Sequence, residues 1–145
     1  MLDRKKRVLS NGYIYDREGN LIPSLKGLYG EFKGYFLHGV IPKWVSAVSF
    51  TCVVVKRKAF EMAEEDLRFT GEYYGADLSF SMRKAGFFTV VSPEVSVILK
   101  SGEMAFSPGE REMFSGKWEK ELSKPDPCYN RNLKLKTGHT YEMRD

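Results

Sequence analysis

The feature that most constrains this chain is the run Val45-Ser46-Ala47-Val48-Ser49-Phe50-Thr51-Cys52-Val53-Val54-Val55. β-Branched side chains are stiff at χ1 and suit an extended, pleated backbone. An almost continuous apolar run, rather than an alternating one, predicts a strand covered on both faces. Such a strand wants a neighbour on each edge. The rest of the chain offers few. Residues 8–15 read as a strand leading into the turn Asp16-Arg17-Glu18-Gly19-Asn20, whose last two residues tolerate positive φ. Phe87–Val91 reads as a second short strand, stopped by Ser92-Pro93, and Val95–Leu99 as a third. Between them the pattern turns helical. Ala59–Glu65 predicts a short helix. From Ala76, Leu78, Met82 and Ala85 share one face and Gly86 ends the helix. Ser107-Pro108-Gly109-Glu110 opens a helix carrying Met113, Phe114 and Trp118, which Lys124-Pro125-Asp126-Pro127 ends. The order predicts an α/β chain: a mixed sheet with flanking helices, either small or part of a larger sheet.

At 145 residues the chain suits one domain, and 42% apolar with 14% aromatic residues is too much core material for a disordered chain. No apolar run approaches a membrane span, and none follows the basic start as in a secretory signal. Cys52 and Cys128 stand 76 positions apart and fit no metal spacing. Two cysteines in a chain this long argue for a reducing compartment. The expected location is cytoplasmic, with peripheral contact at the inner face of the membrane as its variant. The net charge of +4 is mild, and the one dense basic run is Arg4-Lys5-Lys6-Arg7. Residues 1–7 read as a solvated basic tail, or as a contact for anionic headgroups or phosphates. Nucleic-acid binding through that run is a third-ranked reading and predicts a steep salt dependence. Residues 24–43 hold Gly27, Gly30, Gly34, Gly39 and Pro42 among Tyr29, Phe32, Tyr35 and Phe36. They predict an irregular aromatic loop that either stacks a sugar ring or packs on itself. Residues 128–145 predict an extended tail anchored by Tyr129 and Leu133.

The chain contains no GxxxxGK[ST], GxSxG, HExxH or CxxC. His38 and His139 lie far apart and read as surface residues, so no metal site is assigned. Asp77, in Tyr73-Tyr74-Gly75-Ala76-Asp77-Leu78, stands at the start of the expected helix. It is either a first-turn carboxylate held by the helix dipole or a base presented at the mouth of a site. Glu64, Glu65, Asp66 and Glu72 make the preceding stretch acidic. Such a cluster raises one carboxylate's pKa or is simply solvated.

Four stretches together resemble the C-terminal, acceptor-side half of the catalytic domain of family-2 glycosyltransferases, enzymes of the GT-A fold. These are Gly27-Leu28-Tyr29-Gly30 through Gly34-Tyr35-Phe36; Val45–Cys52 with Val53–Phe60; Glu65–Phe69 with Tyr74–Phe87; and Phe114-Ser115-Gly116-Lys117-Trp118 with Asp126-Pro127-Cys128-Tyr129-Asn130-Arg131-Asn132-Leu133. They run from about residue 8 to 135 in the family's order, and the closing stretch is the most specific. The resemblance implies a partial domain of an enzyme that transfers sugar from a nucleotide-sugar to a glycan acceptor. The other half would bring a DxD-type motif, a divalent Mn or Mg ion and the nucleotide site. This chain has no DxD and implies no cofactor by itself. Asp77 is the catalytic candidate, Glu72 its alternate, and Trp44, Tyr73 and Tyr74 the acceptor contacts. The family's base position falls on Gly75, its later histidine on Leu99 or Lys100, a strand glycine on Phe50, and a glycine pair on Ala63-Glu64. Those departures imply the alternative reading, a catalytically inactive remnant or binding module of the same fold. Partners implied are the nucleotide-sugar, the glycan, and a separate nucleotide-binding chain or a second copy. No nucleic acid is implied.

Overall fold

Two short antiparallel ribbons and one long helix position everything else. In a computed structural model, residues 1–31, 33, 37, 39–64, 66–100 and 106–133 are described. The elements are β1 (Tyr13–Tyr15), β2 (Leu21–Pro23), β3 (Lys43–Val45), α1 (Arg57–Met62), α2 (Gly71–Lys84), β4 (Thr89–Val91), α3 (Pro108–Lys117) and α4 (Glu119–Leu122). The α/β content matches the sequence expectation. The single mixed sheet does not form among the described residues: β1 pairs with β2 and β3 with β4, both antiparallel. Aromatics Phe32, Tyr35 and Phe36 of the glycine-rich loop, both histidines, Glu65 and the tail beyond Leu133 lie outside the described residues.

The β1–β2 ribbon is closed by its turn chemistry. Asp16 Oδ1 accepts hydrogen bonds from the Glu18 and Asn20 backbone N–H groups, both at 2.9 Å, and Oδ2 accepts one from Asn20 Nδ2 at 2.7 Å. Gly19 sits at φ +81°, where a Cβ would strain the chain.

The long strand expected over 45–55 is a correction. Strand pairing ends at Val45, with one further bridge from Tyr13 to Ala47. Beyond it, side-chain hydroxyls take over from a ladder. The Val48 N–H donates to Ser79 Oγ and the Thr51 N–H to Ser49 Oγ. Serine and threonine compete with sheet hydrogen bonding in this way, and an apolar pattern does not register it. Cys52 and Val54 turn outward, Val54 being 99% exposed, while Val55 packs against Ala59, Leu78 and Met82. The expected strand at Val95–Leu99 is also corrected. It contributes a single parallel bridge, Ile98 to Leu2, flanked by Leu2 N–H to Val97 O and Leu99 N–H to Leu2 O, both 2.8 Å. The backbone of residues 1–7 is therefore tied down, while Arg4, Lys5 and Lys6 keep exposed side chains.

Helix α2 starts five residues before the expected Ala76. Its end is as expected. Gly86, at φ +90°, donates to Arg83 O, and Phe87 N–H donates to Met82 O, each at 3.0 Å. That pair of bonds is a Schellman motif. Helix α3 begins with Ser107 at the cap and Pro108 in the first turn, as expected, though Ser107 makes no side-chain cap bond. The Thr70 N–H and hydroxyl, just before α2, both donate to Glu110 Oε1 on α3, at 2.8 and 2.6 Å. The core between α2, α3 and the β1–β2 ribbon is aromatic. Phe80 stands at its centre, with ring centroids 5.1 Å from Tyr15, 5.1 Å from Phe114 and 5.4 Å from Trp118, all edge-on. Edge-to-face contacts of this kind add to area burial. A smaller cluster joins Ala59 of α1 to Leu78 and Met82 of α2.

Candidate functional site

Three of the buried carboxylates, Asp77, Glu72 and Asp126, join the segments of the expected site, and two of them are the catalytic candidates. Asp77 lies in the middle of α2, not at its start, and is fully buried. Its Oδ1 meets Lys117 Nζ at 2.7 Å and accepts from Trp118 Nε1 at 2.8 Å, and its Oδ2 accepts from the Asp66 N–H at 3.1 Å. Lys117, 27% exposed, supplies the counter-charge that lets a carboxylate remain inside. Asp77 therefore joins α2, the end of α3 and the loop before α2.

Glu72 lies five residues earlier, about 140° around the helix from Asp77. It faces the strands. Tyr13 OH donates to its Oε2 at 2.6 Å and Ser49 OH to its Oε1 at 2.9 Å. The two candidates thus do not converge on one site. Burial pushes the Glu72 carboxyl above its ordinary value, only partly opposed by the two hydroxyl donors. A folded carboxyl with a raised pKa binds its proton more tightly than the unfolded one does. Its contribution to stability is then present below the unfolded pKa and lost as pH rises through the folded value. We expect Glu72→Gln to flatten that decline: its stability relative to the wild type should rise as pH increases from about 4 to about 7. Urea melts across that range check this, and a difference independent of pH would contradict it.

Asp126, from the closing stretch, is the third. Its Oδ1 accepts from Ser46 OH at 2.6 Å and Cys128 N–H at 2.7 Å, and its Oδ2 accepts from Tyr15 N–H at 2.8 Å. Burial pushes its carboxyl up as well. The segments of the resemblance are thereby bonded to one another: Ser46 to Asp126, and Asp77 to Lys117 and Trp118.

Of the aromatics expected at the acceptor, Trp44 alone stands well out. Its ring stacks on Phe88, with centroids 4.8 Å apart and planes 14° apart. The two are 63% and 67% exposed. The β3–β4 register sets this up. Trp44 pairs with Val90, and Phe88, two residues from Val90, points to the same face. Tyr73 is a core residue, with its hydroxyl donating to Gly19 O at 3.3 Å. Tyr74 is half-buried, edge-on to Phe50 at 4.7 Å. Phe88 was not among the expected contacts. Its signal was the alternation Phe88, Val90 on one side of a strand. Ser46, Ser49 and Lys117 were missed as carboxylate partners because a hydroxyl or an amine carries no pattern until the fold brings it near.

A divalent metal, implied by the resemblance, finds no fitting donor set among the described residues. The Asp77, Glu72 and Asp126 oxygens are committed to protein donors, and no group of three or more potential ligands clusters among the described residues. Among the described residues no helix is long and apolar enough to cross a membrane. No protein-family model, no curated protein and no solved structure matches the chain.

Proposed function

We propose that the chain binds a glycan as the acceptor-side half of a family-2 glycosyltransferase-like protein, and that its buried carboxylates serve the fold. The observation that carries this is the Trp44–Phe88 stack. Phe88 covers one face of the indole and braces it, leaving a flat apolar surface toward water. The C–H faces of a pyranose pack on such a surface, and two rigid rings lose little entropy on binding. Nucleotide-sugar and metal chemistry belong, in this reading, to a separate chain or a second copy. The inactive-module alternative has its own support, since Asp77 is enclosed and neutralised by Lys117.

The test is a glycan array probed with the purified chain and with Trp44→Ala. We expect a discrete set of oligosaccharides to be retained by the wild type and lost by the variant, whose exposed site costs little stability. A folded wild type that retains no glycan, or a variant that retains the same set equally well, would overturn the proposal.

A further inference from the structure

We propose that the cleft between the β1–β2 turn and the closing segment is a binding site for a phosphoryl group. It has a volume of about 70 Å³, room for a few waters or one tetrahedral anion rather than a whole nucleotide. Arg17 lines it from the turn, and Lys124 and Arg131 from the far end of the chain. None of the three forms an ion pair with a described residue.

Two aspartates also line the cleft, so its cations exceed its carboxylates by one, and the carboxylate oxygens already accept hydrogen bonds from other groups. Asp16 is committed to its own turn by three hydrogen bonds. Asp126 is committed to Ser46, Cys128 and Tyr15. A fourth cation stands behind the cleft wall. The Arg83 guanidinium lies 5.8 Å from the centroid of the Tyr15 ring, which lines the cleft, and its Nη1 is buried without a hydrogen-bond partner. Three exposed cations that outnumber the two carboxylates of the cleft, with an unpartnered guanidinium nitrogen behind its wall, suit a multiply charged tetrahedral anion. Arginine forks match phosphate geometry in particular. This inference is independent of the glycan reading and would stand if that one failed.

The test is calorimetric titration of the whole chain with inorganic phosphate and with pyrophosphate. Vesicles of phosphatidylcholine containing phosphatidic acid form a second arm. We expect saturable binding that weakens as salt rises from about 50 to about 200 mM. Arg17→Ala/Arg131→Ala should lower affinity about tenfold or more. Lys58→Ala, on exposed α1, should leave it unchanged. Binding of pyrophosphate without vesicles marks a soluble phosphate ligand. Vesicle binding displaced by pyrophosphate marks a lipid headgroup. Absence of binding in both arms, or equal binding by the double variant shown to be folded by circular dichroism, overturns the proposal.

Discussion

Asp77→Ala should cost about 3–5 kcal/mol of stability, the range for removing one partner of a buried ion pair. Three donors are stranded at once: the Lys117 ammonium, the Trp118 indole N–H and the Asp66 backbone N–H. Trp118 is itself buried, so its N–H cannot recover the loss from water. Lys117 is partly exposed and can, which keeps the figure from going higher. For a chain of this length the melting temperature should fall by roughly 6–20 °C. Asp77→Asn retains an acceptor for Trp118 and should lose less. A double-mutant cycle with Lys117→Met isolates the charge pairing from the rest. Were Asp77 a base held for catalysis and not for the fold, its replacement by alanine would leave the thermal melt nearly unchanged.

Gly75→Asp should be the most damaging substitution in α2. This is the position at which the family resemblance expects the catalytic carboxylate. Helix α2 passes so close to residues 48–50 that a Cβ on residue 75 would overlap the Val48 carbonyl oxygen and lie 2.7 Å from the Phe50 nitrogen. Both are backbone atoms, so neither can rotate away. Gly75→Ala measures the collision alone. Overpacking costs about 1–3 kcal/mol or more, and the gain in helix propensity returns about 1 kcal/mol. Gly75→Asp adds a buried charge without a partner and should leave little folded chain. Placing a carboxylate there should therefore yield an unfolded protein and no transfer activity. A well-folded Gly75→Asp variant, judged by a cooperative melt near that of the wild type, would show that the 48–50 segment yields.

These two positions also show where sequence reading stops. Gly86 and Ser107-Pro108 announced a helix end and a helix start because their signals are local: a left-handed glycine and a pre-set proline φ. The start of α2 was hidden because Gly71 and Gly75 fall within its first five residues, and glycine lowers helix propensity. Gly75 is there for the close approach to residues 48–50, a tertiary reason that local pattern cannot carry. The same contact, with Ser46 and Ser49 bonding Asp126 and Glu72, explains why the most strand-like run is not a strand beyond Val45. Hydropathy registered its valines and passed over its serines. The proposed surface was legible only in part. Trp44 was identifiable from type and position, whereas its partner Phe88 depended on the β3–β4 register. Asp77 looked the same in sequence whether buried or presented.

The measurement that tests the central claim most directly is a ¹H–¹⁵N NMR titration with the glycans retained on the array. The chain has two tryptophans and so two indole N–H signals. Trp118 is buried with its indole bonded to Asp77, and Trp44 lies on the exposed stack. Glycan should shift the Trp44 indole and the amides around Phe88 while the Trp118 signal stays still. Shifts at Trp118 with Trp44 unmoved, or saturable binding that moves neither, would contradict an acceptor surface on the β3–β4 ribbon.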